Sequence, residues 1–123
     1  IITMAPVASS LMYDYPGLGG FCYKDLLNSE EGKRINWFNG QFYFQYDKNT
    51  YDSVIENGYN PEKVVMGMIS SGQNNLDESL IELKKIKAAY PKFSGVYNWE
   101  YFNSPPEPSN PYKWSEIIYS ILK

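Results

Sequence analysis

Four short apolar segments alternate with amphipathic segments along this chain, and that alternation limits the possible folds more than any other feature. The apolar segments cover residues 1–7, 36–44, 64–69 and 93–99. They begin roughly 30 residues apart, which is the length of a strand–helix unit. They are near-continuous apolar runs, which is typical of parallel strands covered on both faces. The sequence therefore predicts an α/β fold of four consecutive βα units.

The amphipathic segments show apolar residues at three- and four-residue spacing, as helices do. Helices are predicted over residues 21–27, 47–58 and 76–90, and a last helix follows Pro111. Asn49 or Thr50 can cap the second helix, and Gly58 suits the left-handed position at which it ends. Residues 8–20 and 101–110, which are rich in glycine or proline, are predicted to be loops.

The number of βα units leaves two architectures open. A complete (β/α)8 barrel needs about 250 residues, whereas this chain has 123. The chain is therefore either a small open α/β domain or half of a barrel. In both architectures ligands bind at the carboxyl ends of the strands, where this sequence places polar and aromatic residues.

Composition excludes several kinds of site in these residues. The chain has no histidine and a single cysteine, Cys22, so histidine-based triads, an internal disulfide and zinc sites of histidine and cysteine are excluded. The net charge is −3, and the basic residues are interspersed with acidic ones, so no nucleic-acid partner is expected. No apolar run reaches the about 20 residues of a membrane span. No cofactor, metal ion or membrane partner is expected.

Aromatic residues are abundant: the chain has twelve tyrosines, six phenylalanines and three tryptophans. They form either a core rich in large rings or a surface that stacks on sugars. The aromatic segment 36–46 also contains two amides, Asn39 and Gln41. A buried amide without a partner costs on the order of 1–3 kcal/mol. These amides are therefore either paired internally or directed at a ligand, and strand alternation places both on the same side as Tyr43.

Several segments together resemble glycoside hydrolase family 18. Residues 2–7 (ITMAPV), 39–43 (NGQFY) and 95–100 (GVYNWE) resemble strands five, six and eight of the family's TIM barrel, and residues 64–68 (VVMGM) resemble strand seven. This resemblance implies that residues 1–123 are one region, the carboxyl-terminal half of a (β/α)8 domain. The family motif D-x-x-D-x-D-x-E, at the end of strand four, is absent from these residues. The resemblance therefore implies that the catalytic acid lies outside this chain.

The family resemblance also implies a chemistry and a set of site residues. The implied reaction is the substrate-assisted, retaining hydrolysis of β-1,4-linked N-acetylglucosamine. Tyr43 matches the tyrosine that orients the substrate acetamide, and Gln41 is expected to bind the acetamide or a sugar hydroxyl. Trp99 matches the tryptophan beneath the sugar. Met4 and Ala5 match the strand edge that lines the pocket for the acetamide methyl group.

Alternatives remain for the residues and for the function. Tyr43 and Trp99 can be core residues, Gln41 can be paired internally, and Glu100 is expected to point away from the pocket by alternation. A family member that binds glycans without cleaving them, as a lectin or structural protein, is the second function, and an unrelated α/β interaction domain is the third. The family resemblance favours a secreted or extracellular protein that binds an N-acetylglucosamine-containing glycan. It also implies that the remaining half of the barrel, or a second chain, is a partner.

Overall fold

The centre of the fold is a four-stranded parallel sheet in the order β1-β2-β3-β4, seen in a computed structural model that describes residues 1–70 and 75–123. The strands are β1 (Thr3–Met4), β2 (Trp37–Gln41), β3 (Val64–Ile69) and β4 (Val96–Trp99). Each strand pairs with the next one along the chain. The strand order thus shows no reversal within this sheet, unlike that of a doubly wound domain. The predicted α/β fold of consecutive βα units is confirmed.

Helices follow the strands and cover one face of the sheet. They are α1 (Ser9–Met12), α2 (Tyr23–Asn28), α3 (Lys48–Glu56), α4 (Leu76–Ala89) and α5 (Tyr112–Leu122). Short 3-10 helices at Glu31–Arg34, Pro61–Lys63 and Tyr101–Asn103 lie in the connections. Helix α1 contacts both α2 and α3, and α4 contacts both α3 and α5. This is the arrangement of part of a TIM barrel.

Two local predictions differ from the structure. The predicted loop over residues 8–20 contains the short helix α1, whose Leu11 is fully buried in the core. Helix α3 is capped by Asp47 rather than by Asn49 or Thr50. The Asp47 carboxylate accepts a hydrogen bond of 2.8 Å from the backbone N–H of Thr50, and a negative charge is favourable at a helix N-terminus. Gly58 has a φ of 97°, in the left-handed region, as predicted.

The core lies between the sheet and the helices, and aromatic rings fill much of it. Tyr51 of α3 is fully buried, and its ring contacts the rings of Phe42, Tyr90 and Phe93. Its hydroxyl donates to the backbone carbonyl of Val64 over 3.3 Å. Many of the aromatic residues therefore form a core rich in large rings, which was one of the two interpretations of the composition.

The opposite face of the sheet has much less cover among the described residues. Trp37, Asn39 and Gln41 on β2 are half-buried, whereas Phe38 between them is fully buried against the helices. At the end of β4, Trp99 is 59 % exposed. In a closed barrel this face is the interior.

We predict that residues 1–123, expressed alone, self-associate. Strands β1 and β4 form the two edges of the described sheet, and unpaired strand edges are templates for association with other chains. Sedimentation velocity should show oligomers for residues 1–123. A monodisperse monomer of residues 1–123 with a cooperative thermal melt would contradict this prediction.

Candidate active site

A pocket lies at the carboxyl ends of the strands, on the face opposite the helices. Residues at the ends of three strands line it: Ala5, Asn39, Gln41, Tyr43, Tyr97 and Trp99. Ala5 directly follows β1, Tyr43 follows β2, and Tyr97 and Trp99 belong to β4. The structure thus brings together four of the five site residues predicted from the sequence.

Both amides of the aromatic segment have internal partners, although both also line the pocket. Gln41 donates through Nε2 to the backbone carbonyl of Ala5 over 2.7 Å. Asn39 accepts through Oδ1 a 3.0 Å hydrogen bond from the indole N–H of Trp37. Internal pairing and exposure to a ligand are therefore compatible for Gln41, because its amide oxygen is not used in the bond to Ala5.

Tyr43 lies in a turn beyond β2 rather than within the strand. The strand ends at Gln41, and Phe44 has a φ of 65°, a left-handed conformation that a continuing strand does not contain. The Tyr43 ring is nevertheless in the pocket, half-buried, with its hydroxyl oxygen 3.5 Å from that of Tyr97. The prediction that the strand extends to residue 44 is wrong, whereas the side on which Tyr43 lies is as expected.

Tyr97 is a pocket residue that the sequence reasoning did not single out. Its ring lies over Gly67 in the middle of β3, where an added Cβ atom would lie 2.2 Å from the Tyr97 Cζ atom. Burial raises the pKa of Tyr97 above its ordinary value, and a hydrogen bond with Tyr43 raises it further. A glycine inside a strand often marks a close approach of this kind. Gly67 is therefore the feature of the sequence that could have indicated a side chain packed across β3.

Met4 does not reach the pocket. It is in register with Phe38, which faces the helices, and it packs against the core. Because successive residues of a strand point to opposite faces, Met4 and Ala5 do not line the same pocket. The structure therefore retains Ala5 as a lining residue and places Met4 beneath the sheet.

A hydrogen-bond network supports the backbone next to Trp99. Asn98 donates through Nδ2 to the hydroxyl oxygens of Ser70, over 2.6 Å, and Ser104, over 2.8 Å. The Ser70 hydroxyl donates to the carbonyl of Glu100 over 3.1 Å, and the Ser70 N–H donates to the carbonyl of Trp99. These bonds tie the end of β3 to the segment that carries the indole ring of Trp99.

Charged groups are absent from the part of the pocket that the structure describes. The Glu100 carboxylate lies outside it and accepts a hydrogen bond from Asn103. Residues 1–70 and 75–123 contain no group of three histidine, cysteine, aspartate or glutamate residues arranged to hold a metal ion. None of the helices in these ranges is both long and apolar enough to span a membrane.

Two solved structures are similar to this chain over its whole length. The first is a fungal endo-β-N-acetylglucosaminidase from glycosyl hydrolase family 18, with 36 % identity and a TM-score of 0.89, of which this chain covers 46 %. The second is the chitinase ChiC from Aspergillus fumigatus, with 31 % identity and a TM-score of 0.77, of which this chain covers 48 %.

A third structure supports the fold alone. The catalytic domain of a family 18 chitinase from the fern Peteris ryukyuensis is 15 % identical, with a TM-score of 0.68 over 98 % of this chain and 43 % of its own length. A scan against protein-family models found no match, and a search of curated proteins found none. The chain thus resembles glycoside hydrolase family 18 along its length and spans about half the length of the structures it matches.

Replacing Asn98 with alanine should lower the free energy of unfolding of the complete protein by about 1–2 kcal/mol. The substitution removes the donor to Ser104, whose side chain is only 1 % exposed, and a buried polar group without its partner is costly. Urea titration measures the change. Asn103→Ala, which removes an exposed amide, is the matched control and should change the stability by less than about 0.5 kcal/mol. Equal effects of the two substitutions would contradict this role of Asn98.

Proposed function

We propose that residues 1–123 are the carboxyl-terminal half of a (β/α)8 domain of glycoside hydrolase family 18, and that the complete protein hydrolyses β-1,4-linked N-acetylglucosamine. The observation that carries the proposal is the convergence of Gln41, Tyr43 and Trp99 on one pocket. TIM-barrel enzymes have their active sites at this edge of the sheet. The two similar structures with more than 30 % identity are an endo-β-N-acetylglucosaminidase and a chitinase, which supports a substrate that contains N-acetylglucosamine.

The proposed reaction divides the chemistry between the substrate and the protein. A glutamic acid in the remaining half of the barrel protonates the oxygen of the leaving sugar. The carbonyl oxygen of the substrate's own acetamide attacks the anomeric carbon, so that the glycosidic bond breaks and an oxazolinium ion forms. Water then opens this ion at the anomeric carbon and returns a proton to the glutamate, so two inversions retain the configuration.

The pocket described above supplies the positioning that this reaction needs. The Tyr43 hydroxyl donates to the acetamide carbonyl and holds it against the anomeric carbon, which raises the rate by orientation. The Gln41 amide oxygen accepts from the acetamide N–H or from a sugar hydroxyl, since its Nε2 is bonded to Ala5. The exposed indole of Trp99 lies beneath the apolar face of the sugar. Ala5 leaves room for the acetamide methyl group.

Glycan binding without cleavage is the second candidate function. The observation in its favour is that the described lining of the pocket offers aromatic rings and amides, which suit sugar binding, and carries no carboxylate. The last residue of the motif D-x-x-D-x-D-x-E in the complete protein separates the two candidates. Glutamate at that position predicts hydrolysis, whereas glutamine or leucine predicts binding alone.

In the complete protein, Tyr43→Phe should lower kcat about 100-fold and leave KM within a factor of about two, because it removes one donor that acts on the reacting group. Trp99→Ala should raise KM and lower kcat together, because stacking stabilises both the bound substrate and the transition state. Steady-state kinetics on an N-acetylglucosamine oligomer measures both effects.

Tyr119→Phe is the control for these kinetics, since Tyr119 is 68 % exposed on α5 and lies outside the pocket. Its kinetics should equal those of the wild type. If Tyr43→Phe and Trp99→Ala both retained near-normal turnover and affinity, the pocket would not be the active site. If neither the wild type nor any variant cleaved the oligomer, but Trp99→Ala weakened its binding, glycan binding without cleavage would be the function.

A further inference from the structure

We infer that Tyr97 is a positioning residue for the proposed hydrolysis, whose hydroxyl directs the Tyr43 hydroxyl toward the substrate acetamide. The inference rests on the proposed function and deepens it, because it assigns a role to a pocket residue that contacts the reacting groups only through another side chain. It also gives a reason for a glycine in the middle of β3.

The register of the sheet places Tyr97 in line with the end of β2. Gln41 of β2 is paired with Gly67 of β3, which is paired with Tyr97 of β4. Adjacent strands lie about 4.8 Å apart, so β4 lies about 10 Å from β2. The Tyr97 side chain lies across β3 toward the end of β2, where it comes close to Asn39 and Tyr43.

The Tyr97 ring can lie across β3 only because residue 67 has no side chain. A Cβ atom on Gly67 would lie 2.2 Å from Cζ, 2.4 Å from the hydroxyl oxygen and 2.5 Å from Cε1 of Tyr97. Separations below about 3 Å are not tolerated between such atoms, so an alanine at this position would displace the hydroxyl end of the ring. Gly67 therefore leaves the space through which the Tyr97 side chain reaches Tyr43.

The Tyr97 hydroxyl has two neighbours to which it can donate a hydrogen bond. Its oxygen lies 3.5 Å from the Tyr43 hydroxyl oxygen and 3.5 Å from the backbone carbonyl oxygen of Asn39. Both separations exceed the usual about 2.8 Å of an O–H···O bond, as is common for catalytic contacts before substrate binds. A tyrosine hydroxyl has one proton, so Tyr97 donates either to Asn39 or to Tyr43 at any moment.

The bound substrate decides between these two arrangements. Without substrate, Tyr43 donates to Tyr97, and Tyr97 donates to the Asn39 carbonyl. The acetamide carbonyl of the substrate only accepts, so Tyr43 turns its proton to the substrate and its oxygen becomes an acceptor for Tyr97. A hydroxyl that accepts one hydrogen bond donates a stronger one, and its direction is fixed. A tyrosine hydroxyl is protonated at neutral pH, and burial raises the pKa of Tyr97 further, so Tyr97 can donate to Tyr43.

The test compares Tyr97→Phe with Tyr46→Phe in the complete protein. Tyr97→Phe should lower kcat about tenfold on an N-acetylglucosamine oligomer and change KM less than about twofold, because a role through Tyr43 acts on the transition state. Tyr46→Phe also removes a buried tyrosine hydroxyl, which has no hydrogen-bond partner among the described residues and lies outside the pocket. Its kinetics should not change.

A double-mutant cycle separates positioning from an independent contribution. In the Tyr43→Phe background, Tyr97→Phe should have no further effect on kcat, because the group through which it acts is gone. An equal loss in both backgrounds, an unchanged kcat in the wild-type background, or a change confined to KM would each overturn the inference.

A spectroscopic readout keeps the inference independent of turnover. In protein labelled with carbon-13 at tyrosine Cζ, the Tyr43 resonance should shift in Tyr97→Phe and not in Tyr46→Phe. If the wild-type protein neither cleaved nor bound the oligomer, the proposed function would fail. This resonance would then decide alone whether Tyr97 contacts the Tyr43 hydroxyl, and an unshifted resonance would overturn the inference.

Discussion

The alternation of side chains along parallel strands is the constraint on which the rest of this structure depends. On β2, Phe38 is fully buried among the rings of Tyr23 and Tyr59 beneath the helices, and its neighbour Asn39 therefore points to the opposite face. A slip of one residue would exchange the two faces, removing a large ring from the core and Gln41 from the pocket. Packing beneath the sheet thus fixes which side chains are presented above it.

Two glycines inside strands serve the two faces of the sheet. An added Cβ on Gly40 would lie 2.5 Å from the ring of Phe42, on the side of the core, and an added Cβ on Gly67 would meet Tyr97, on the side of the pocket. The space of each missing side chain is occupied by an aromatic ring, that of Phe42 two residues after Gly40 and that of Tyr97 from β4 beside Gly67. Aromatic rings packed over glycine backbone are therefore found both in the core and in the pocket. The high aromatic content of the chain thus serves both packing and the site.

The sequence predicted those parts of the fold and site that depend on local pattern. Strand–helix alternation predicts the parallel sheet, and two-residue spacing places Gln41 on the pocket side. The family resemblance matches Met4 and Ala5 to the same strand edge and so assigns both to the pocket, although strand alternation makes their side chains point apart. The contact of Tyr97 with Tyr43 depends on the register of three strands, which local patterns do not contain.

We propose that the pocket lined by Ala5, Gln41, Tyr43 and Trp99 holds an N-acetylated sugar and that Tyr97 directs the Tyr43 hydroxyl toward it. The most direct measurement is a crystal structure of the complete protein with a thiazoline analogue of N-acetylglucosamine, whose fused ring mimics the oxazolinium ion. We expect this ring to lie within hydrogen-bond distance of the Tyr43 hydroxyl and the sugar to lie on the indole of Trp99. An analogue bound elsewhere, with this pocket filled by water, would show that the pocket is not the sugar site.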